Sequence, residues 1–259
     1  MPEAPLGPPV DFHGATLPVR APLRGAHVLL RPLEPSLDAP SLFAASHPPH
    51  GDDEIWRYLP YGPYPDPEAL RAELERFAAA ADPLFFAAVP VAGGEARGVA
   101  SYLRITPVHG SIEIGHIWFG PALQRSTAAT EAILLLAAEA FDGLGYRRLE
   151  WKCNALNAAS RRAAERFGFA FEGVFRHHQV VKGRNRDTAW YAITDDRWPA
   201  VRAAFREWLA PENFDPAGAQ RRSLRELTGH CHIRVPLQPF SPQHCESMGP
   251  EQAATPPPA

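Results

Sequence analysis

The stretch Ser111–Ala132, SIEIGHIWFGPALQRSTAATEA, decides how this chain is read. Its first nine residues are mostly Ile, Gly and aromatic side chains and read as a strand. Pro121 cannot donate to a ladder, so strand pairing is expected to break near it. Residues 127–144, TAATEAILLLAAEAFDGL, carry the spacing of an amphipathic helix ended by Gly143 or Gly145. A strand that delivers its end to a helix start makes an anion site. The first turn leaves backbone N–H groups unpaired, and the helix dipole adds partial positive charge. Here the loop Gln124-Arg125-Ser126-Thr127-Ala128-Ala129 adds two hydroxyls and a guanidinium, which suits a pyrophosphate. Taken alone, the same residues also make an ordinary Ser/Thr cap on a surface helix.

Upstream, residues 1–24 are proline-rich and aperiodic and read as an extended arm. His27–Leu33 reads as a first strand and Ser36–Ala45 as a short helix. Trp56, Tyr58, Tyr61 and Tyr64 lie in a Pro/Gly-rich segment that cannot be a regular element. They read either as packing under a loop or as a substrate-facing wall. Asp66-Pro67-Glu68 opens a helix with a cap, a first-turn proline and an acid. Leu84–Val89 and Gly98–Ile105 form an antiparallel pair across Gly93-Gly94. Downstream, Arg148–Cys153 is a strand, Asn157–Phe167 a helix stopped by Gly168, and Phe169–His177 with Thr188–Ile193 a hairpin. Its turn is read as long and charged. A last helix ends near Ala210. Residues 211–259 lack a hydrophobic period and are expected to be a disordered tail. The order of elements indicates one mixed α/β (α+β) domain over residues 25–210.

Composition narrows the class. The chain has 259 residues, 45% of them hydrophobic, enough for a sizeable core. A net charge of −3 argues against a nucleic-acid or anionic-membrane surface. The longest apolar run, residues 132–138, is too short to span a bilayer. Three widely spaced cysteines (Cys153, Cys231, Cys245) do not make a disulfide framework and fit a reducing cytoplasm. His230, Cys231, His232, His244 and Cys245 depart from zinc-finger spacing, so no metal is expected.

The order strand, Q-x-x-T-x-A loop (Gln124, Thr127, Ala129), TEA helix, strand, N-x-x-S helix (Asn157, Ser160), then Glu165-Arg166-Phe167-Gly168-Phe169 resembles the Gcn5-related N-acetyltransferases. It is most similar to their ribosomal-protein-alanine type, over about residues 25–200. The resemblance implies the GNAT fold: a mixed, mostly antiparallel central sheet with helices on both faces. Its fourth and fifth strands splay apart, and acetyl-CoA lies in the V-shaped gap. It implies cofactor contacts at Trp118, Phe119, Gln124, Arg125, Ser126, Thr127, Ala128, Ala129, Thr130, Asn157 and Ser160. Thr127 stands where the family has a glycine. Either its hydroxyl acts as a donor or CoA binding is weaker. Ala164 stands where the family has a tyrosine that protonates the leaving thiolate, and Ser160, one turn earlier, is the replacement candidate.

An acceptor amine must lose a proton to attack a thioester, so a base is needed. Glu113 is the first candidate and His116 the second. Backbone N–H groups near Ile117–Phe119 would polarise the carbonyl. Trp56, Tyr58, Tyr61, Glu172 and His178 are candidate acceptor contacts. Simple alternation would put Glu172, Arg176 and His178 on one strand face. Cys153 reads as an inert core cysteine. The expected activity is direct acetyl transfer from acetyl-CoA to a primary amine, on a small molecule or a protein N-terminus, by a monomer or homodimer. The alternative is a catalytically silent acyl-CoA-binding or protein-interaction module of the same fold.

Overall fold

A computed structural model describes residues 7–229. One eight-stranded sheet organises them: β1 (Leu23–Arg24), β2 (Val28–Pro32), β3 (Leu84–Pro90), β4 (Gly98–Thr106), β5 (Ser111–Phe119), β6 (Arg148–Asn154), β7 (Ala170–Val181) and β8 (Arg184–Thr194). The spatial order is β1-β2-β3-β4-β5-β6-β8-β7. Every neighbouring pair is antiparallel except β5 and β6. That parallel pair is short, joining Ser111, Ile112 and Glu113 to Arg148, Leu149 and Glu150. Beyond Glu113 and Glu150 the two strands share no ladder, so the sheet opens between them. These are the splayed fourth and fifth strands of the sequence reading; β1 adds one to the numbering.

Helices cover both faces. On one side α3 (Thr127–Ala138), α4 (Ala158–Arg166), α5 (Trp198–Leu209) and α6 (Leu224–Gly229) close over Ile112, Ile114, Leu149, Trp151 and Tyr191. On the other, α1 (Pro35–Ser46) and α2 (Pro67–Ala79) bury Leu42, Leu74, Phe77, Phe85 and Trp118. α2 starts as its sequence dictates, with Asp66 accepting from the Ala69 amide and Pro67 in the first turn. α3 is tied to the sheet by an acid inside the TEA motif. The Glu131 carboxylate accepts the backbone N–H groups of Ala26, His27 and Val28 at 2.6–2.9 Å.

β5 contains an irregularity that redirects its side chains. Ser101 pairs with Gly115 and Val99 with Trp118, so two steps along β4 match three along β5. His116 sits in this bulge with φ of 51°. The extra residue inverts the alternation. Ile112 and Ile114 face α3, whereas Trp118, of the same parity, packs beneath α1 and α2.

Two expectations change. The charged turn between β7 and β8 is not long. Lys182 and Gly183, with φ of 49° and 70°, make a two-residue turn, and Arg184–Asp187 continue as strand. The arm is extended over its described part and anchored at two points, Ala15 and Thr16 donating to the carbonyls of Pro107 and Leu144. The segment after Ala210 is structured as far as Gly229. It holds the turn Pro211–Asn213, a bridge between Phe214 and Gln220, and α6 with Leu224, Leu227 and Thr228 buried. The histidines and cysteines of the 230–245 region lie outside the described residues. Among the described residues no helix is long and apolar enough to cross a membrane.

Candidate active site

The gap between β5 and β6 leads to the start of α3. Ser126 caps this helix, its Oγ accepting the Ala129 amide at 3.0 Å. The same hydroxyl donates to the Leu123 carbonyl at 2.6 Å. Gln124 Nε2 donates to the Phe119 carbonyl at 2.7 Å and so ties the loop to the end of β5. Arg125 has φ of 60°. The backbone N–H groups of Arg125, Thr127 and Ala128 take no acceptor within the described chain. That is the pattern an anion at a helix start would satisfy. Thr130 is different: buried, with Oγ1 donating to Ser126 O and accepting from both terminal nitrogens of Arg166. It is a structural clamp between α3 and α4 and not an open contact.

Across the gap, Asn157 caps α4 through Oδ1, which accepts the Ser160 amide at 3.0 Å. Ser160 Oγ accepts from Trp151 Nε1 at 3.0 Å, which leaves its own proton to donate. Cys153 lies within hydrogen-bond reach of that hydroxyl, and burial pushes its thiol above the ordinary value. Ala164, at the family's tyrosine position, is wholly buried.

The face of β5, β6 and β8 turned away from α3 carries the charges. Glu113 is 3% exposed. Its Oε2 takes both Lys152 Nζ at 2.9 Å and Arg104 Nη1 at 2.6 Å, while Oε1 accepts no hydrogen bond among the described residues. Burial raises its carboxyl above the usual range, opposed by Lys152 and Arg104. Lys152 also meets Glu150 at 2.5 Å and lies 3.9 Å from the centre of the Trp190 ring. The ion-pair chain continues through Arg148, between Glu150 and Glu172. Glu172 is therefore at the paired, closed end of the sheet and not beside the gap. Bulges in β7 at 171–173 and 175–179 break the alternation that would have aligned Glu172, Arg176 and His178. His178 does face Thr188 Oγ1 at 2.9 Å and the Trp190 ring.

His116 stacks on Tyr61, with ring centroids 5.6 Å apart, and its Nδ1 lies 3.2 Å from the Tyr61 hydroxyl. Burial, helped by Arg104 and Arg186, depresses its pKa to about 4, so the ring is neutral near pH 7. Trp56 is a core residue, 1% exposed, against Trp118 and Tyr64. Tyr58 reaches across to donate to Leu156 O at 3.3 Å. Lys182, at the hairpin tip, donates to the carbonyls of Trp56 and Gly62 at 2.9 and 2.7 Å. The aromatic segment and the β7–β8 hairpin are thus brought together as two walls.

Acetyltransferase (GNAT) domain is the family model that matches residues 27–170. The chain belongs to the GNAT acetyltransferase family. A GCN5-related N-acetyltransferase from Brucella melitensis is 44% identical, with TM-score 0.81, covering 85% of this chain and 99% of its own. A protein described as a probable acetyltransferase of the GNAT family from Chromobacterium violaceum is 42% identical, with TM-score 0.70, covering 77% of this chain and 100% of its own. The microcin C7 self-immunity acetyltransferase MccE, solved with acetyl-CoA and AMP, shares the fold at 20% identity and TM-score 0.56, covering 69% and 98%. No curated protein matches the chain. Family membership supports acetyl transfer from acetyl-CoA as the class of activity.

Sequence reasoning passed over Arg104 and Lys152, and it read Lys182 and Arg186 as part of a solvated charged turn. A signal for Lys152 was present: in Arg148–Cys153 the apolar Leu149, Trp151 and Cys153 alternate with Glu150 and Lys152, which places two opposite charges on the other face. Arg104 and Arg186 reach the site through a bulge and an extended hairpin that the sequence pattern does not display.

Proposed function

We propose that this protein transfers the acetyl group of acetyl-CoA to a primary amine by direct attack. The acceptor is a small molecule or a protein N-terminus, as in the ribosomal-protein-alanine type that the sequence resembles. One observation carries the reading. The sheet opens beyond Glu113, at a bulged strand whose end is tied to a helix start with three partnerless amides. The thioester, when bound, supplies an activated acetyl group. Arg125, Thr127 and Ala128 would hold the pyrophosphate through their backbone N–H groups, with Asn157 and Ser160 along the pantetheine side. Nothing in the loop prevents this fit: Thr127 has its amide free despite its Cβ.

Glu113 Oε1 is the proton acceptor, directly or through water. Lys152 and Arg104 both bind Oε2, which orients the carboxylate and leaves the other oxygen free. His116, neutral and stacked on Tyr61, serves better as part of the acceptor wall than as the base. The bulge at Gly115–Ile117 releases backbone N–H groups from the ladder, available to a developing oxyanion. Ser160 has a proton to give to the departing sulfur. Cys153, buried and held protonated, offers no nucleophile for an acyl-enzyme.

The experiment is thermal stabilisation by acetyl-CoA followed by thiol release with a panel of amines and N-terminal peptides. Stabilisation with acceptor-dependent thiol release is expected. Stabilisation without release from any amine would favour a silent acyl-CoA-binding module, the reading to which the buried Ala164 lends weight.

A further inference from the structure

The charged face beside the gap is built from four cations and three anions, and their pairing is uneven. Arg104 is matched by Glu113, Lys152 by Glu113 and Glu150, and Arg148 by Glu150 and Glu172. Arg186, on β8, has no hydrogen bond and no ion pair through its side chain among the described residues. Its Nε is sealed from solvent without an acceptor. It lies within charge-interaction range of Glu113, Cys153, Arg104, His116 and His178. On the same strand and face, Trp190 Nε1 is a second buried donor with no acceptor. Folded proteins leave few buried donors unpaired, because each is costly and a charged one more so. An uncompensated guanidinium beside a reaction centre is a binding element waiting for an anion.

We infer that the acceptor is an amine that carries a carboxylate close to its nitrogen, and that Arg186 is the residue that recognises that carboxylate. The inference rests on the acetyltransferase reading above. Glu113, the proposed base, meets the amine, and Arg186 lies near enough to feel the Glu113 charge. An acceptor whose amine meets Glu113 and whose carboxylate pairs with Arg186 carries the two groups near one another, as in an amino acid or a peptide N-terminus with an acidic first side chain. Glu113 is already held by two cations, so the carboxylate adds the missing negative charge without competing for Lys152. A simple alkylamine would leave Arg186 unpaired in the complex as it is in the free protein.

Product binding tests this without turnover. The protein loaded with CoA is titrated calorimetrically with N-acetylglycine, N-acetylglycinamide and an N-acetyl-aspartyl peptide amide. At least one carboxylate ligand is expected to bind about tenfold or more tighter than N-acetylglycinamide, the size of a charge-assisted hydrogen bond. Tight N-acetylglycine identifies a free amino acid as the source; tight N-acetyl-aspartyl peptide identifies an acidic peptide start. Arg186→Gln should erase the difference, and Arg186→Lys should restore part of it. Acetyl-CoA affinity should stay within about twofold in both variants, which also reports that they fold. Equal binding of acid and amide, or no binding of either, overturns the inference while acetyl-CoA binding and thiol release stand. Loss of acetyl-CoA binding in the parent protein would instead overturn the functional reading beneath it.

Discussion

Ser160 is fixed by Asn157 and Trp151 and keeps one proton, with the Cys153 thiol within reach of it. Its amide is fixed by Asn157 and its Oγ accepts from Trp151, so the hydroxyl hydrogen has a defined direction left to it. Ser160→Ala removes that donor and strands the indole N–H, but leaves the backbone amides of α3 untouched. Turnover is expected to fall about 100-fold, the lower end for loss of one acid–base group. The dissociation constant for acetyl-CoA should change less than about threefold, measured by calorimetry against steady-state thiol release. His116 gives a residue-scale prediction about stability. Its pKa is about 4 in the folded protein against 6.5 for a free histidine. Between those values the unfolded chain binds a proton that the folded chain refuses, so stability is complete above pH 6.5 and is lost as pH falls toward 4. From pH 7 to 5 this group should remove about 2 kcal/mol. Asn tolerates the left-handed backbone at this position. His116→Asn should therefore lose less stability over that interval, by about the same amount, in denaturant titrations at the two pH values.

At the scale of elements, the start of α3 is where local sequence and site coincide. Ser126 is a cap in the plain sense, and Ser126→Ala is expected to lower unfolding free energy by about 1 kcal/mol, read from the denaturation midpoint. This start was legible because capping chemistry is local: a serine, a broken ladder and a run of apolar residues lie within ten positions. The bulge in β5 was not legible, because the phase of a strand depends on its partner. Plain alternation would place Trp118 with Ile112 and Ile114 over the cofactor side, whereas the inserted residue sends it into the other core. The same reason hid how far the strands of the β7–β8 hairpin run. A charged run reads as loop until one sees that Lys182 and Gly183 alone adopt positive φ and that the flanking arginines pair as strand. Lys182 then becomes a clasp on the carbonyls of Trp56 and Gly62, an arrangement set by residues about 120 positions apart.

Across the whole molecule, the order of strands and helices between residues 25 and 210 was readable, since each element is long enough to show its period. Where the chain closes its core after Ala210 was not. α6 has six residues, too few for a periodic signal, and its neighbours are polar. Its stability comes from what it covers. Leu224 and Leu227 are buried in the core beneath α4 and α5, Thr228 Oγ1 donates to the carbonyl of Arg166, the last residue of α4, and Arg225 pairs with Glu165. Asn213 adds a second anchor, bonding the carbonyls of Trp208 and Arg222. α6 therefore braces the helix that presents Asn157 and Ser160. Ending the chain after Ala210 exposes the apolar ground under α6 and removes two buried leucines, each worth about 2 kcal/mol. The expected loss is about 3–5 kcal/mol in unfolding free energy, together with weaker acetyl-CoA binding because α4 loses its support. A chain ended after Gly229 keeps all of these contacts and should match the 259-residue chain in denaturation midpoint and acetyl-CoA affinity. If the shorter truncation unfolds at the same denaturant concentration as the longer one, α6 contributes nothing to the core it covers.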